Sequence, residues 1–259
     1  MQIITGVNWF GLYTLTMKEI NRFLKVHIQT IGAPVVTALL YYLVFAVALG
    51  DQHEGVGGAS FVQFLAPGLI MMTIAQNAFA NTSSSLIIAK IQGNIVDVLM
   101  PPLSAGELVT AYTLGGIARG LVVGLASTLT MMVLVHVPVH HFGYIAFHAV
   151  SGGMFMALLG VIGGIWSDKF DQMAVVQNFI VMPLTFLSGT FFAINQLPAA
   201  WQMVCHLNPV FYMIDGFRYG FIGVADGSLV AGVITMVTIN AGLLLTAYLM
   251  FRSGYKLRA

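Results

Sequence analysis

The placement of charge constrains this chain more than any other feature. Its Lys, Arg, Asp and Glu residues fall in a few short clusters. Between them run the uncharged stretches Val26–Gly50, Gly55–Ala89, Gly120–Ser167, Gln172–Ile214 and Gly227–Phe251. Hydrocarbon solvates neither charge nor unpaired backbone, so an uncharged apolar run of about 18 residues or more is a candidate membrane span. Each stretch is long enough for one crossing, and two are long enough for two. Composition agrees, with 58% hydrophobic and 7% charged residues against about 25% charged in soluble domains. The chain is therefore an integral membrane protein of all-α class.

The spacing predicts six spans, roughly Ile28–Leu49, Phe61–Ser83, Ile117–Val135, Phe142–Trp166, Met173–Phe192 and Ser228–Phe251. Residues 8–26 precede them as an amphipathic helix at the headgroup boundary. Tyr13, Met17, Ile20 and Leu24 recur on one face, and Lys18, Asn21, Arg22 and Lys25 lie on the other. This N-terminal run is longer than a signal-peptide core and reads as a retained first span. The acidic, Gly-rich loop Gly50–Ser60 joins the first two spans. Residues 193–227 are too polar for a clean span and too apolar for a free loop. They read as short re-entrant helices, which survive in a membrane only when buried in protein or lining a cavity. Positive charges collect at one side (Lys18, Arg22, Lys25, Lys90, Lys169, Arg252, Lys256, Arg258) and only Arg218 at the other, so both termini are expected in the cytoplasm.

Several functions are disfavoured. Net charge is +1, so nucleic acid is not an expected partner. Cys205 is the only cysteine, which excludes an internal disulfide. No phosphate-binding Gly-x-x-x-x-Gly-Lys-Ser/Thr motif is present, so the chain has no visible means of binding ATP. Acidic residues fall in loops or near span boundaries, which argues against a proton relay. His136, His140 and His141, with paired methionines, leave a metal-ion conduit as an alternative, but the expected metal set is none. No polar constellation suggests a lipid-modifying enzyme.

Two segments together carry a family resemblance. One runs from Lys90 through Gly93, Asp97, Met100, Pro101 and Pro102 to Ser104. The other holds Leu187-Ser188-Gly189, Phe192, Leu197-Pro198, Asn208-Pro209 and Asp215-Gly216-Phe217-Arg218-Tyr219-Gly220-Phe221. In this order, and across essentially the whole chain, they resemble the permease subunits of ATP-binding-cassette type-2 exporters. The likeness is to bacterial inner-membrane permeases of the multidrug, nodulation-factor and polysaccharide group. The resemblance implies a non-enzymatic subunit working as a dimer, with two copies of a separate ATPase that binds the ATP and Mg. It implies a connecting helix at 8–26 and a coupling helix within 86–103, with Lys90, Gly93, Ile95, Asp97, Val98, Leu99 and Met100 meeting the ATPase. Asp97 stands where the family usually has Glu, so docking is expected to rest on Ile95, Val98 and Leu99. The region 193–227 becomes an outer gate built on Pro198, Pro209, Asp215 and Arg218, the last two able to pair at i, i+3. An amphipathic, lipid-linked or glycan substrate is expected between protomers, along Tyr41, Tyr42, Phe45, Asn77, Asn81, Phe179, Phe186 and Phe192.

Overall fold

The computed structural model describes residues 6–49, 59–135 and 137–257. His136, Arg258 and most of the acidic loop after the first span, including Asp51 and Glu54, lie outside the described residues. The elements are α1 (Trp9–Leu24), a π-helical turn (Ile28–Gly32), α2 (Ala33–Leu49), α3 (Phe61–Ile91), α4 (Ile95–Leu99), α5 (Ala105–Leu134), α6 (Phe142–Trp166), α7 (Phe170–Val176), a second π turn (Gln177–Val181), α8 (Met182–Phe186), a 3-10 turn (Ile194–Gln196), α9 (Ala199–Leu207), α10 (Pro209–Ile222) and α11 (Leu229–Ser253). Among the described residues no strand is present.

Five helical stretches are long and apolar enough to cross a membrane: Ile28–Ala48, Phe61–Ile91, Ala105–Leu134, Phe142–Trp166 and Leu229–Ser253. At 1.5 Å per residue, the 31 residues of α3 extend about 47 Å, well beyond a hydrocarbon core of about 30 Å. The second span thus continues past Ser83, its expected end, to Ile91. The span expected from near Ile117 sits inside a longer helix, α5, that begins at Ala105. The reason is local. Ser104 and Glu107 form a reciprocal capping box, so the helix starts in the polar zone before entering the apolar one.

The expected span Met173–Phe192 takes a segmented form. Helix α7, the π turn and α8 follow one another over 170–186, and the helix stops at Phe186. Residues 187–192 form turns, with Gly189 left-handed at φ 73°. Ser188 donates through its hydroxyl to Thr185 O, and Thr190 bonds the same carbonyl. These side chains satisfy carbonyls that the ended helix leaves open.

α3 is the axis of the bundle, buried along most of its length between α5, α6 and α10. The close approach depends on glycines at four-residue spacing. A Cβ at Gly120 would sit 2.8 Å from Ile74 O. One at Gly160 would sit 2.1 Å from Thr82 Oγ1 and 2.6 Å from Phe79 O. Lipid gives helices no hydrophobic reason to associate, so van der Waals contact across small residues holds them together. Thr82 Oγ1 adds a bond to Ala157 O at 2.8 Å, and Asn240 Nδ2 ties α11 to Ser151 O of α6 at 2.9 Å. α2 and α11 are mostly exposed, the former through Val36, Leu40, Val44 and Val47.

Candidate functional site

At one end of the bundle, Gln92 closes α3 and Gly93, left-handed at φ 74°, turns the chain into α4. Five residues cannot sustain a helix alone. Ile95 and Val98, three apart and so on one face, are buried in a cluster with Leu15, Leu86, Leu108 and Val109. This corrects the expected docking trio, since two of its members hold α4 to its own protomer. The outward side presents Ile91, Val96, Asp97 and Met100, with Val96 54% and Met100 75% exposed. Leu99 lies between, half-buried.

Lys90 is also unavailable to a partner. Its Nζ donates to Ile165 O (2.8 Å), Ser167 O (2.6 Å) and Asp168 Oδ1 (3.0 Å). It thereby neutralises the carbonyl end of α6. Lys256, after α11, donates to Trp166 O (2.9 Å) and Asp168 Oδ2 (2.8 Å). Hydrogen bonds from Lys256 and then Lys90 hold the Asp168 carboxyl below its usual range. One exposed carboxylate thus joins the ends of α3, α6 and α11.

α1 is locked to the same end. The Glu107 carboxylate accepts from both Ser104 N and Asn8 N, and Asn8 Nδ2 donates to Pro102 O at 3.3 Å. The starts of α1 and α5 therefore share one cap. On the amphipathic helix the side turned to the protein is Leu15, Glu19 and Phe23, while Trp9, Phe10 and Tyr13 face outward. Glu19 is fully buried. It accepts from Ser85 Oγ at 2.8 Å and pairs with Arg22 at 3.2 Å. Arg22 in turn donates to Asn81 O (2.6 Å), Asn81 Oδ1 (3.0 Å) and Ser84 Oγ (3.2 Å). A cleft of about 670 Å³ remains between α1, the end of α3 and α4, with Lys18, Arg22, Gln92 and Asp97 on its walls.

The expected pathway residues do not form one group. Tyr42 is buried in the core, and Asn81 is held by Arg22. Phe179 is 76% exposed on the surface, and Phe192 packs toward Ile194 and Cys205. Tyr41, Phe45 and Phe186 do gather, around Phe191, with ring centroids 6.3, 4.7 and 5.5 Å from it. Tyr41 and Asn77 line a second cleft between α2 and α3.

At the opposite end, α9 starts after Pro198, and α10 starts with Pro209 under the side-chain cap of Asn208. Asn208 Nδ2 also reaches Leu184 O at 2.7 Å. Asp215 and Arg218 make no ion pair, contrary to their spacing. The Asp215 carboxylate accepts Asp226 N (2.8 Å) and Gly227 N (3.0 Å), closing the loop between α10 and α11. Arg218, fully buried by its neighbours, donates to Gly189 O (2.7 Å) and Phe64 O (3.3 Å), its guanidinium 3.7 Å from the Phe64 ring centroid. Asp215 serves backbone N–H groups of the loop after α10, and Arg218 ties the non-helical Gly189 carbonyl to the first turn of α3. Nearby, His140 and His141 donate backbone N–H groups to Gly220 O, and their rings meet Tyr219 and Tyr144. Among the described residues, no three His, Cys, Asp or Glu side chains converge.

Residues 11–222, most of the bundle, match the family profile described as ABC-2 type transporter. The chain belongs to that family. It is 37% identical over 251 residues to the inner membrane transport permease YadH of Escherichia coli (strain K12), covering 97% of this chain and 98% of the relative. Nodulation protein J of Rhizobium leguminosarum bv. viciae is 26% identical over 260 residues, covering 95% of each chain. Nodulation protein J of Rhizobium meliloti (strain 1021) is 24% identical, covering 84% and 82%. This ABC-2 permease is thus the multi-pass inner-membrane component of a transport system. It is not itself catalytic, since the ATPase is a separate subunit.

Three features of the permease go beyond the expectations from its sequence. Glu19 carries little signal, because a carboxylate on an amphipathic helix ordinarily faces water. Phe191 is one aromatic among 18 phenylalanines. The glycine repeats Gly116, Gly120, Gly124 and Gly160, Gly164 are a legible signal, since four-residue spacing of small residues marks a packed face.

Proposed function

We propose that two copies of this permease form an exporter moving an amphipathic, lipid-linked or glycan substrate out across the inner membrane, driven by two ATPase subunits at the α4 end. That end faces the cytoplasm, as do both termini, in keeping with the basic residues gathered there. The observation carrying this reading is the construction of α4. A five-residue helix is anchored inward by Ile95 and Val98 and presents Val96, Asp97 and Met100 outward. A force on that outward face passes directly to α3 and α5, which flank α4, and through Asn8–Glu107 to α1. Rigid long helices then convert it into rigid-body motion of the spans. The exposed apolar face of α2 and the aromatic group around Phe191 support a partner protomer and a greasy portion of substrate there. Regions α9 and α10 act as the outer gate, with Arg218 and Asp215 maintaining their fold.

The test uses the purified complex of permease and ATPase in lipid nanodiscs. Met100→Asp and Val96→Asp abolish coupling of ATP hydrolysis to the permease while leaving its thermal unfolding unchanged. If both variants bind and couple as wild type does, the assignment of α4 is wrong. If the chain alone conducts ions in liposomes, the exporter reading itself fails.

A further inference from the structure

The cleft between α2, α3 and the second π turn has a composition that the transport reading does not explain. Its volume is about 370 Å³, and its walls include Gln29, Thr37, Tyr41, Gln76, Asn77 and Gln177, with no charged side chain. The two π turns among the described residues, Ile28–Gly32 and Gln177–Val181, each place one of these glutamines at the cleft. Such turns are rare and concentrate at functional positions. Among the described residues, the side-chain amides of Gln29, Gln76 and Gln177 have no hydrogen-bond partner. Asn77 is held rigidly by contrast. Its Oδ1 accepts from Arg119 Nη2 at 3.1 Å, and its Nδ2 donates to Thr73 O at 3.0 Å, which leaves one amide hydrogen over.

Gln76 and Asn77 lie in α3, which is long and apolar enough to cross the membrane, where an unpaired amide is costly. Gln76 and Gln177 are half-buried and Gln29 is exposed beside them. Four carboxamides around one cleft, each both donor and acceptor, match a ligand rich in groups that also do both. Hydroxyls of a sugar fit this requirement. A phosphate does not, because no cation lines the wall and Arg119 is engaged behind Asn77. We propose that this cleft is a binding subsite for the neutral, polyhydroxylated headgroup of a glycan or glycolipid substrate. This deepens the exporter reading and rests on it.

The test is photolabelling of the permease–ATPase complex in phosphatidylcholine nanodiscs. One probe is dodecyl maltoside with a diazirine on the sugar; the other is a tail-matched dodecyl phosphate with a diazirine at its head. The sugar probe labels peptides containing residues 72–80 and 177 about tenfold more than the phosphate probe, a ratio corresponding to about 1.4 kcal/mol of preference. Gln76→Leu with Gln177→Leu removes that preference, with thermal unfolding unchanged or raised. Equal labelling by both probes in the wild type, or stronger labelling by phosphate, overturns the proposal, and that comparison needs no variant. Sugar preference surviving the double substitution also overturns it. The same labelling is run on the permease alone: failure to co-purify with an ATPase sinks the exporter reading, while the labelling ratio of the permease alone still decides the subsite, so the two failures are distinguishable.

Discussion

The two ends of the bundle handle charge in opposite ways. At the α4 end, charges meet charges: Glu19 with Arg22, and Asp168 with Lys90 and Lys256. At the α9–α10 end, Asp215 and Arg218 each bond backbone groups and not each other. In the first arrangement Asp168 bridges Lys90 of α3 and Lys256 after α11 side chain to side chain, so that junction can loosen without unfolding a segment, while the Glu19–Arg22 pair lies within α1 and reaches α3 through Ser85 and Asn81. The second replaces missing helical hydrogen bonds inside irregular chain, so it is part of the local fold.

Arg218→Ala is the severest way to break the contrast. It opens a cavity and orphans two buried carbonyls, and a loss of about 3 kcal/mol or more is expected. Thermal unfolding in nanodiscs should fall sharply, with residues 187–192 the first to become protease-sensitive. Survival of that segment with unchanged stability would show that its turns hold without the guanidinium. Glu19→Ala comes next. It removes the fully buried partner of a half-exposed pair, and Arg22 retains Asn81 O and Ser84, so about 1–3 kcal/mol is expected. Amide exchange should rise along α1 while α9 and α10 stay protected.

Exposed Met100→Asp should change stability by no more than about 0.5 kcal/mol while uncoupling the ATPase. A large stability loss there would mean that α4's outward face packs within the protomer. The smallest effect concerns pH. The folded Asp168 carboxyl titrates below its unfolded value of about 3.9. Its stabilising contribution is therefore fully present above that value and lost as pH falls through the folded one. Amide protection factors at residues 254–257, which remove the intrinsic pH dependence of exchange, should be flat from pH 8 to about 5 and fall only below about pH 4. Asp168→Asn should show the acid behaviour at every pH. A change in wild type near neutrality would point to a different titrating group.

Much of the fold was legible before any coordinates. The charge gaps point to the membrane spans, and residues 8–26 read as an amphipathic helix, of which Trp9–Leu24 is helical. The site was less legible. Position near α4 is readable for Lys90, but its bonds to Ile165 O and Ser167 O depend on residues 75 and 77 positions away. Local i, i+3 spacing suggested an Asp215–Arg218 pair, yet Asp215 accepts from the loop that follows α10 and Arg218 reaches Gly189 O and Phe64 O, far away in the chain.

The sequence alone determined that the chain lives in a bilayer, roughly which stretches can cross it, and where positive charge gathers. Those properties follow from hydrocarbon excluding charge and unpaired backbone. Only the tertiary structure decided which apolar faces meet protein and which meet lipid, since both environments are equally greasy and leave no hydropathy difference to read. It likewise decided that Ile95 and Val98 turn inward while Met100 turns outward, and that four amides from three separate segments share one cleft. Such choices belong to contacts between distant positions, and those exist only once the helices pack.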